Sequence, residues 1–166
     1  FMHSGYTEIN PIGTVPFFTD EQVAMTESAG ISQYLVDRYG PTELALTVDE
    51  PDYGLYLNWL HRSDATLTFP QTLVLRYSQL EPEERRLPQV VEDYSKWFFS
   101  RLRSLEIALD ERQYLCADRF TIADVSVGYA LYLAESLGLR DGFKAQTNAY
   151  YERIKARPAF VKATSL

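Results

Sequence analysis

The spacing of apolar and polar positions changes character once along the chain. Residues 14–18 (Thr-Val-Pro-Phe-Phe) are β-branched and aromatic and predict a strand. Thr19–Gln22 reads as a polar hairpin loop, and Val23-Ala24-Met25 as a short return strand. Pro16 cannot donate to a ladder, so that strand is expected at an edge or at a special site. From Ser28 the period becomes helical: Ile31, Tyr34, Leu35 and Tyr39 share one face. Ser28 reads as its N-cap, and Gly40-Pro41 ends it.

Beyond Pro51 every apolar period is helical. Leu55, Trp59, Leu60, Leu67, Leu73 and Leu75 predict a helix over 52–78, bent at Pro70. Pro82 and Pro88 mark a charged loop over 79–88. Val90, Val91, Tyr94, Trp97, Phe98, Leu102, Leu105 and Leu109 predict a long amphipathic helix over 89–112. Residues 121–137 are apolar on most sides, which predicts a helix at the centre of a bundle. Two short helices over 143–156 and 158–165 close the chain. The expected fold class is therefore α/β plus all-α, with an N-terminal domain over 1–40, a linker over 41–50 and an all-helical domain over 51–166.

Composition narrows the function. Apolar residues make up 46 % and charged residues 23 % of the 166, ordinary for a soluble globule. A single cysteine, Cys116, excludes a disulfide framework and a multi-cysteine metal site, and two histidines, His3 and His61, argue against a His-rich one, so no metal is expected. No apolar run approaches the roughly 20 residues of a membrane helix, and the start has no secretory pattern, so a cytoplasmic protein without membrane contact is expected. The net charge of −7 argues against a nucleic-acid surface. The surplus is local: residues 1–50 carry Arg38 against Glu8, Asp20, Glu21, Glu27, Asp37, Glu43, Asp49 and Glu50.

Three constellations carry candidate chemistry. In Phe120-Thr121-Ile122-Ala123-Asp124, a Thr followed three residues later by an acid is a capping box, with Phe120 and Val125 spaced as its hydrophobic staple. The role of Thr121 and Asp124 is structural. In Thr14-Val15-Pro16, a cis proline would turn the Val15 main chain outward to pair with a peptide-like ligand; the alternative is an edge strand with an awkward proline. In Glu27-Ser28, free N–H groups and a hydroxyl at a helix start suit a carboxylate, and the adjacent acid suits an ammonium group. Together they would grip the zwitterionic end of an amino acid; the alternative is simply a capped helix with an acid placed well for its dipole.

In their order and separation, Asn10-Pro-Ile-Gly-Thr-Val-Pro16, Glu27-Ser28 and Phe120-Thr-Ile-Ala-Asp124 resemble the cytosolic glutathione transferase superfamily, whose pattern is N-P-x-G-x-V-P, a hairpin, E-S at a helix start and a capping box in an all-helical domain. The resemblance covers nearly the whole chain. It implies a partial thioredoxin-like N-terminal domain followed by a helical bundle, with glutathione as cosubstrate and a small electrophile as its partner. It implies that Val15, before Pro16, pairs with the cysteinyl part of glutathione, that Glu27 and Ser28 bind the γ-glutamyl end, and that Thr14 stands near the glycyl end. Ser63 and Asp64 stand where some members reach toward a partner subunit's glutathione, and a homodimer is implied. The family's catalytic Tyr, Ser or Cys lies on an earlier strand–helix–strand, so the catalytic residue is expected upstream of this sequence; Ser4 and Tyr6 lie too near Asn10 to replace it. The implied reaction is attack of the glutathione thiolate on an electrophilic carbon. The alternatives are a non-catalytic interaction module of the same fold and a glutathione-dependent isomerase or reductase.

Overall fold

A computed structural model of the protein describes residues 5–165; His3 and Ser4 lie outside that range. The chain divides into two compact units, the first ending at Ala45 and the second beginning at Leu46.

The first unit opens on a single helical turn, α1 (Tyr6–Ile9), which the apolar pattern does not mark. Its only sheet among the described residues is an antiparallel hairpin of β1 (Phe18–Asp20) and β2 (Val23–Met25), in the register Phe18↔Met25, Thr19↔Ala24, Asp20↔Val23. The strand is shorter than the 14–18 run predicts and starts where that run ends. Residues 14–17 belong instead to a loop held by Asn10. Only Glu21 and Gln22 connect the strands, with Glu21 at φ +52°, the left-handed start that tight hairpin turns favour. Helix α2 (Ser28–Tyr39) follows and buries Ala29, Ile31 and Val36. Tyr39, expected on its buried face, is 63 % exposed. The hydroxyls of Tyr34 (2.9 Å) and Tyr39 donate instead to Asp20 at the hairpin tip.

The second unit is helical. The path over Tyr53–Leu80 is interrupted rather than simply bent: α3 (Tyr53–Arg62), a π-helical stretch Ser63–Thr68, α4 (Phe69–Leu75) and a second π stretch Arg76–Leu80. Pro70, the second residue of α4, has no N–H to give, and its ring crowds the carbonyl four residues back. A widened π turn just before it relieves that conflict. Within 79–88, expected as loop, Glu83–Arg85 forms one 3₁₀ turn. Then come α5 (Pro88–Ala108), α6 (Ile122–Ser136), α7 (Ala145–Lys155) and α8 (Pro158–Thr164).

Helix α4 packs on α5, α3 and the first π stretch pack on α6, and both α5 and α6 pack on α7. Leu60, Leu67, Phe98, Leu105, Leu115, Val127, Leu131, Tyr150 and Tyr151 are fully buried at their centre. Helix α6 is less enclosed than its composition suggests: Val125, Tyr129 and Tyr132 stay 44 %, 53 % and 39 % exposed on one face.

Candidate functional site

One buried side chain fixes the loop ahead of the hairpin. Asn10 follows α1, its N–H bonded to the Tyr6 carbonyl (2.9 Å), and is 1 % exposed. Its Nδ2 donates to the Thr14 carbonyl (2.7 Å), and its Oδ1 accepts the Ile12 N–H (3.2 Å). This is the local self-bonding that makes Asn a turn residue. The Gly13 N–H returns to the Asn10 carbonyl (2.8 Å), with Gly13 at φ +70°, which costs a glycine nothing. The Tyr6 hydroxyl puts a second donor on the Thr14 carbonyl (2.7 Å).

The Thr14 carbonyl is thus doubly engaged, whereas the next residue is not. The Val15 N–H and carbonyl take no hydrogen bond among the described residues, and Val15 is 79 % exposed. The Val15–Pro16 peptide bond is cis, as is Gly40–Pro41.

The hairpin brings the second pair of candidates to the same end. Phe18 pairs with Met25 at the open end of the ladder; Pro16 stands two residues before β1 and Glu27 two residues after β2, so both lie close to that end along the chain. Helix α2 begins one residue later. Its N-cap is Glu27, not Ser28 as the sequence suggests: Glu27 has extended geometry (φ −93°, ψ 116°), and its carbonyl accepts the first helical bond, from Ile31 N–H (2.8 Å). Ser28 is the first helical residue. No side chain caps this helix, so the N–H groups of its first turn remain available. Glu27 and Ser28 are both exposed, and among the described residues the Glu27 carboxylate accepts only a long contact from the Thr26 hydroxyl (3.4 Å). An uncapped start of a 12-residue helix, with a serine hydroxyl and a carboxylate beside it, has the chemistry to hold a carboxylate and an ammonium group together.

Residues 3–43 match the family model for the N-terminal domain of glutathione S-transferases. Glutathione S-transferase hmp2 of Hypomyces subiculosus is 27 % identical over 171 residues, which cover 96 % of this chain and 79 % of that relative. Glutathione S-transferase GstA of Escherichia coli O157:H7 is 29 % identical over 161 residues, covering 96 % and 77 %. The structure of Ure2p5 from Phanerochaete chrysosporium, cocrystallised with 1-(S-glutathionyl)-2,4-dinitrobenzene, superposes with a TM-score of 0.84 at 25 % identity, over 99 % of this chain and 80 % of that one. The matched family model, these relatives and this structure are all glutathione transferases, so the chain is similar to that superfamily along nearly its whole length.

In this glutathione transferase fold, the hairpin and α2 form the thioredoxin-like part and the helices from α3 onward the bundle. Two expectations for the bundle change. Ser63, read as reaching toward a partner subunit, is fully buried, and its hydroxyl donates to the Leu60 carbonyl (2.7 Å). It closes the junction of α3 with the π stretch and has no reach outward. Asp64 follows it in the first turn of the same stretch and is half-buried. Phe120, spaced as a staple for Val125, instead stacks edge-on against Tyr114 (5.7 Å), with the Arg157 guanidinium over its ring (3.6 Å).

The capping box of α6 is formed. The Thr121 hydroxyl accepts the Ala123 N–H (3.3 Å), and Asp124 Oδ2 accepts the Thr121 N–H (2.8 Å). Asp124 does more than the motif indicates. Fully buried, it also accepts the Leu115 N–H (3.1 Å), the Tyr150 hydroxyl (2.9 Å) and the Thr121 hydroxyl (3.1 Å). Burial raises its carboxyl above the ordinary aspartate value despite these donors. Cys116 lies against the same box, its Sγ 3.7 Å from Thr121 Oγ1, and burial pushes its thiol up to about 11. A thiol so protonated is no nucleophile.

Sequence reasoning did not single out Asn10 and Tyr6 as the residues that shape the site. An Asn followed by Pro and, three residues on, by Gly is the legible signal for the first; nothing local marks the second.

Proposed function

We propose that this protein is a glutathione transferase that binds glutathione at the open end of its hairpin and conjugates its thiolate to electrophilic small molecules. The Val15 main chain would pair with the cysteinyl unit as an added strand. The first turn of α2, with the Ser28 hydroxyl, would hold the γ-glutamyl carboxylate, and Glu27 the ammonium group. Thr14 would flank the glycyl end, with Pro16 fixing the turn. The observation that carries the reading is the uncapped start of α2 beside an exposed Glu27 and Ser28, two residues beyond the open end of a hairpin whose other strand is preceded by the Val15 main chain, without hydrogen-bond partners among the described residues.

In the reaction, the glutathione thiolate forms a carbon–sulfur bond to an activated carbon. A leaving group departs with the electron pair of the broken bond, and the thiol proton passes to solvent. The protein's task is to favour the thiolate with a positioned donor and to hold it at the electrophile. The family resemblance extends the reading to a homodimer working in the cytoplasm, which sedimentation at micromolar concentration tests.

Calorimetry and a conjugation assay test the assignment on the full-length protein. The substrate is an activated dinitrophenyl halide, whose conjugate is the compound cocrystallised with the fungal Ure2p5. The parent is expected to bind glutathione and release the conjugate. Because Ser28 is the first helical residue and not the cap, Ser28→Ala leaves the helix intact. It removes a hydroxyl from a bound carboxylate, worth roughly 1.5–3 kcal/mol, or about tenfold to a hundredfold in affinity. Equal binding by parent and variant would remove Ser28 from the site; no binding by a folded parent would overturn the glutathione reading.

A further inference from the structure

Tyr6 opens α1 and Asn10 follows its last residue. Four positions apart, they stand on one face of that turn, and both donate to the same atom. The Tyr6 hydroxyl and Asn10 Nδ2 each lie 2.7 Å from the Thr14 carbonyl oxygen. A carbonyl has two lone pairs, so both are taken. Asn10 is 1 % exposed, and its amide has to find partners inside the protein. Tyr6 is under no such need: it is half-buried, and its hydroxyl makes this bond at the surface, within reach of water.

The consequence falls on the next residue. Among the described residues the cis peptide bonds are Val15–Pro16 and Gly40–Pro41, so Thr14–Val15 is trans. In a trans peptide the N–H lies in the plane of the preceding carbonyl and points the opposite way. Whatever holds the Thr14 carbonyl therefore also sets the direction of the Val15 N–H. One donor leaves the peptide plane free to pivot about that single bond; a second donor removes the pivot. Donors on a carbonyl also polarise its amide, which makes the N–H on the far side a stronger donor. That N–H takes no hydrogen bond among the described residues, and Pro16 has none to offer. Val15 thus supplies the one main-chain donor of the Val15-Pro16 pair, and its direction decides what an added strand can meet.

We propose that Tyr6 is a positioning residue for the thiol ligand. Its hydroxyl, acting through the Thr14 carbonyl, aims and strengthens the Val15 N–H that pairs with the cysteinyl main chain. This role rests on the reading of the hairpin end as a glutathione site. Tyr6 touches no reacting atom, so its contribution is to binding, equal in the ground and transition states.

The test is Tyr6→Phe in the full-length protein, which keeps the ring and loses only the hydroxyl. In amide NMR spectra of the ligand-free protein the Val15 resonance is expected to move and that of Ser28, at the start of α2, to stay. Calorimetry is expected to show glutathione bound about threefold to tenfold more weakly, the size of one neutral hydrogen bond. In the conjugation assay KM for glutathione is expected to rise by the same factor, with kcat and KM for the dinitrophenyl halide unchanged and the urea midpoint close to the parent's. Because Ser28 serves the other end of the ligand, the factor is expected to recur in the Ser28→Ala background. An unmoved Val15 resonance overturns the proposal, and so does a lower kcat at unchanged KM. A lowered urea midpoint with parental affinity also overturns it and makes Tyr6 a structural residue. If the parent binds glutathione and Tyr6→Phe binds it equally, this role alone falls. If the folded parent binds none, the glutathione reading falls and takes this role with it.

Discussion

Single residues in this protein are set by how many donors converge on them. Asp124 shows it best. Its two carboxylate oxygens accept different main-chain N–H groups, Leu115 on Oδ1 and Thr121 on Oδ2. Asparagine has one carbonyl oxygen, so Asp124→Asn points an NH₂ group at one of those N–H groups inside the core. A buried unsatisfied pair of this kind costs about 1–3 kcal/mol, so thermal or urea unfolding should register a clear loss. Thr121→Ala removes a single cap acceptor and should cost about 1 kcal/mol. It is expected to leave glutathione affinity alone, which calorimetry on the folded variant checks. Asn10→Ala takes both the Ile12 and Thr14 contacts from a buried side chain. It is expected to weaken glutathione binding more than it lowers the melting midpoint, since the loop it frees carries Val15. The sequence names all three residues inside motifs. It does not disclose that Asn10 and Asp124 are buried, because burial depends on what the rest of the chain packs over them.

At the scale of elements, each helix start finds its own solution. Helix α6 uses its own capping box, α2 stays uncapped, and α7 borrows a cap from another helix. Glu106, near the end of α5, accepts the N–H groups of Gln146 (3.0 Å) and Thr147 (2.9 Å), together with the Thr147 hydroxyl (2.8 Å). Burial works to raise the Glu106 carboxyl, but these hydrogen bonds and nearby Lys144 outweigh it, and the group ends below the ordinary glutamate value. Its folded pKa is therefore depressed. The stability it supplies is complete above the ordinary carboxylate range and is lost as pH falls through the folded value. Glu106→Gln should cost about 1–2 kcal/mol near neutral pH, as losing a helix cap does. Its deficit relative to the parent should shrink in acid, which denaturant melts at neutral and acidic pH measure. No sequence window contains this device: forty positions separate donor and acceptor, and only the packing of α5 on α7 unites them.

At the scale of the molecule, the apolar core is divided very unevenly. Among the described residues before Leu46 the buried apolar ones are Ala29, Ile31 and Val36; the others belong to the helical unit. A segment of that first unit's size rarely buries enough surface to fold unaided. Residues 46–166 made alone are therefore expected to give a helical circular-dichroism spectrum and a cooperative melt, and residues 1–45 alone are not. A featureless spectrum from the longer fragment would mean that its core needs the first unit.

Local spacing determined what the sequence could determine: the hairpin followed by helices, the capping box at Thr121 and Asp124, and the motif order that marks the superfamily. Each depends on neighbours within a few positions, where period and turn chemistry act directly. Tertiary structure decided the rest. It made Glu27 rather than Ser28 the cap of α2, turned Ser63 inward onto Leu60, and broke the 53–80 helix into π turns around Pro70. It also joined Glu106 to α7. A periodic pattern states which face of an element is apolar, but not which element will cover it. Nor does it tell which helix a carboxylate on the other face will cap, because partners far apart in the chain are chosen by packing.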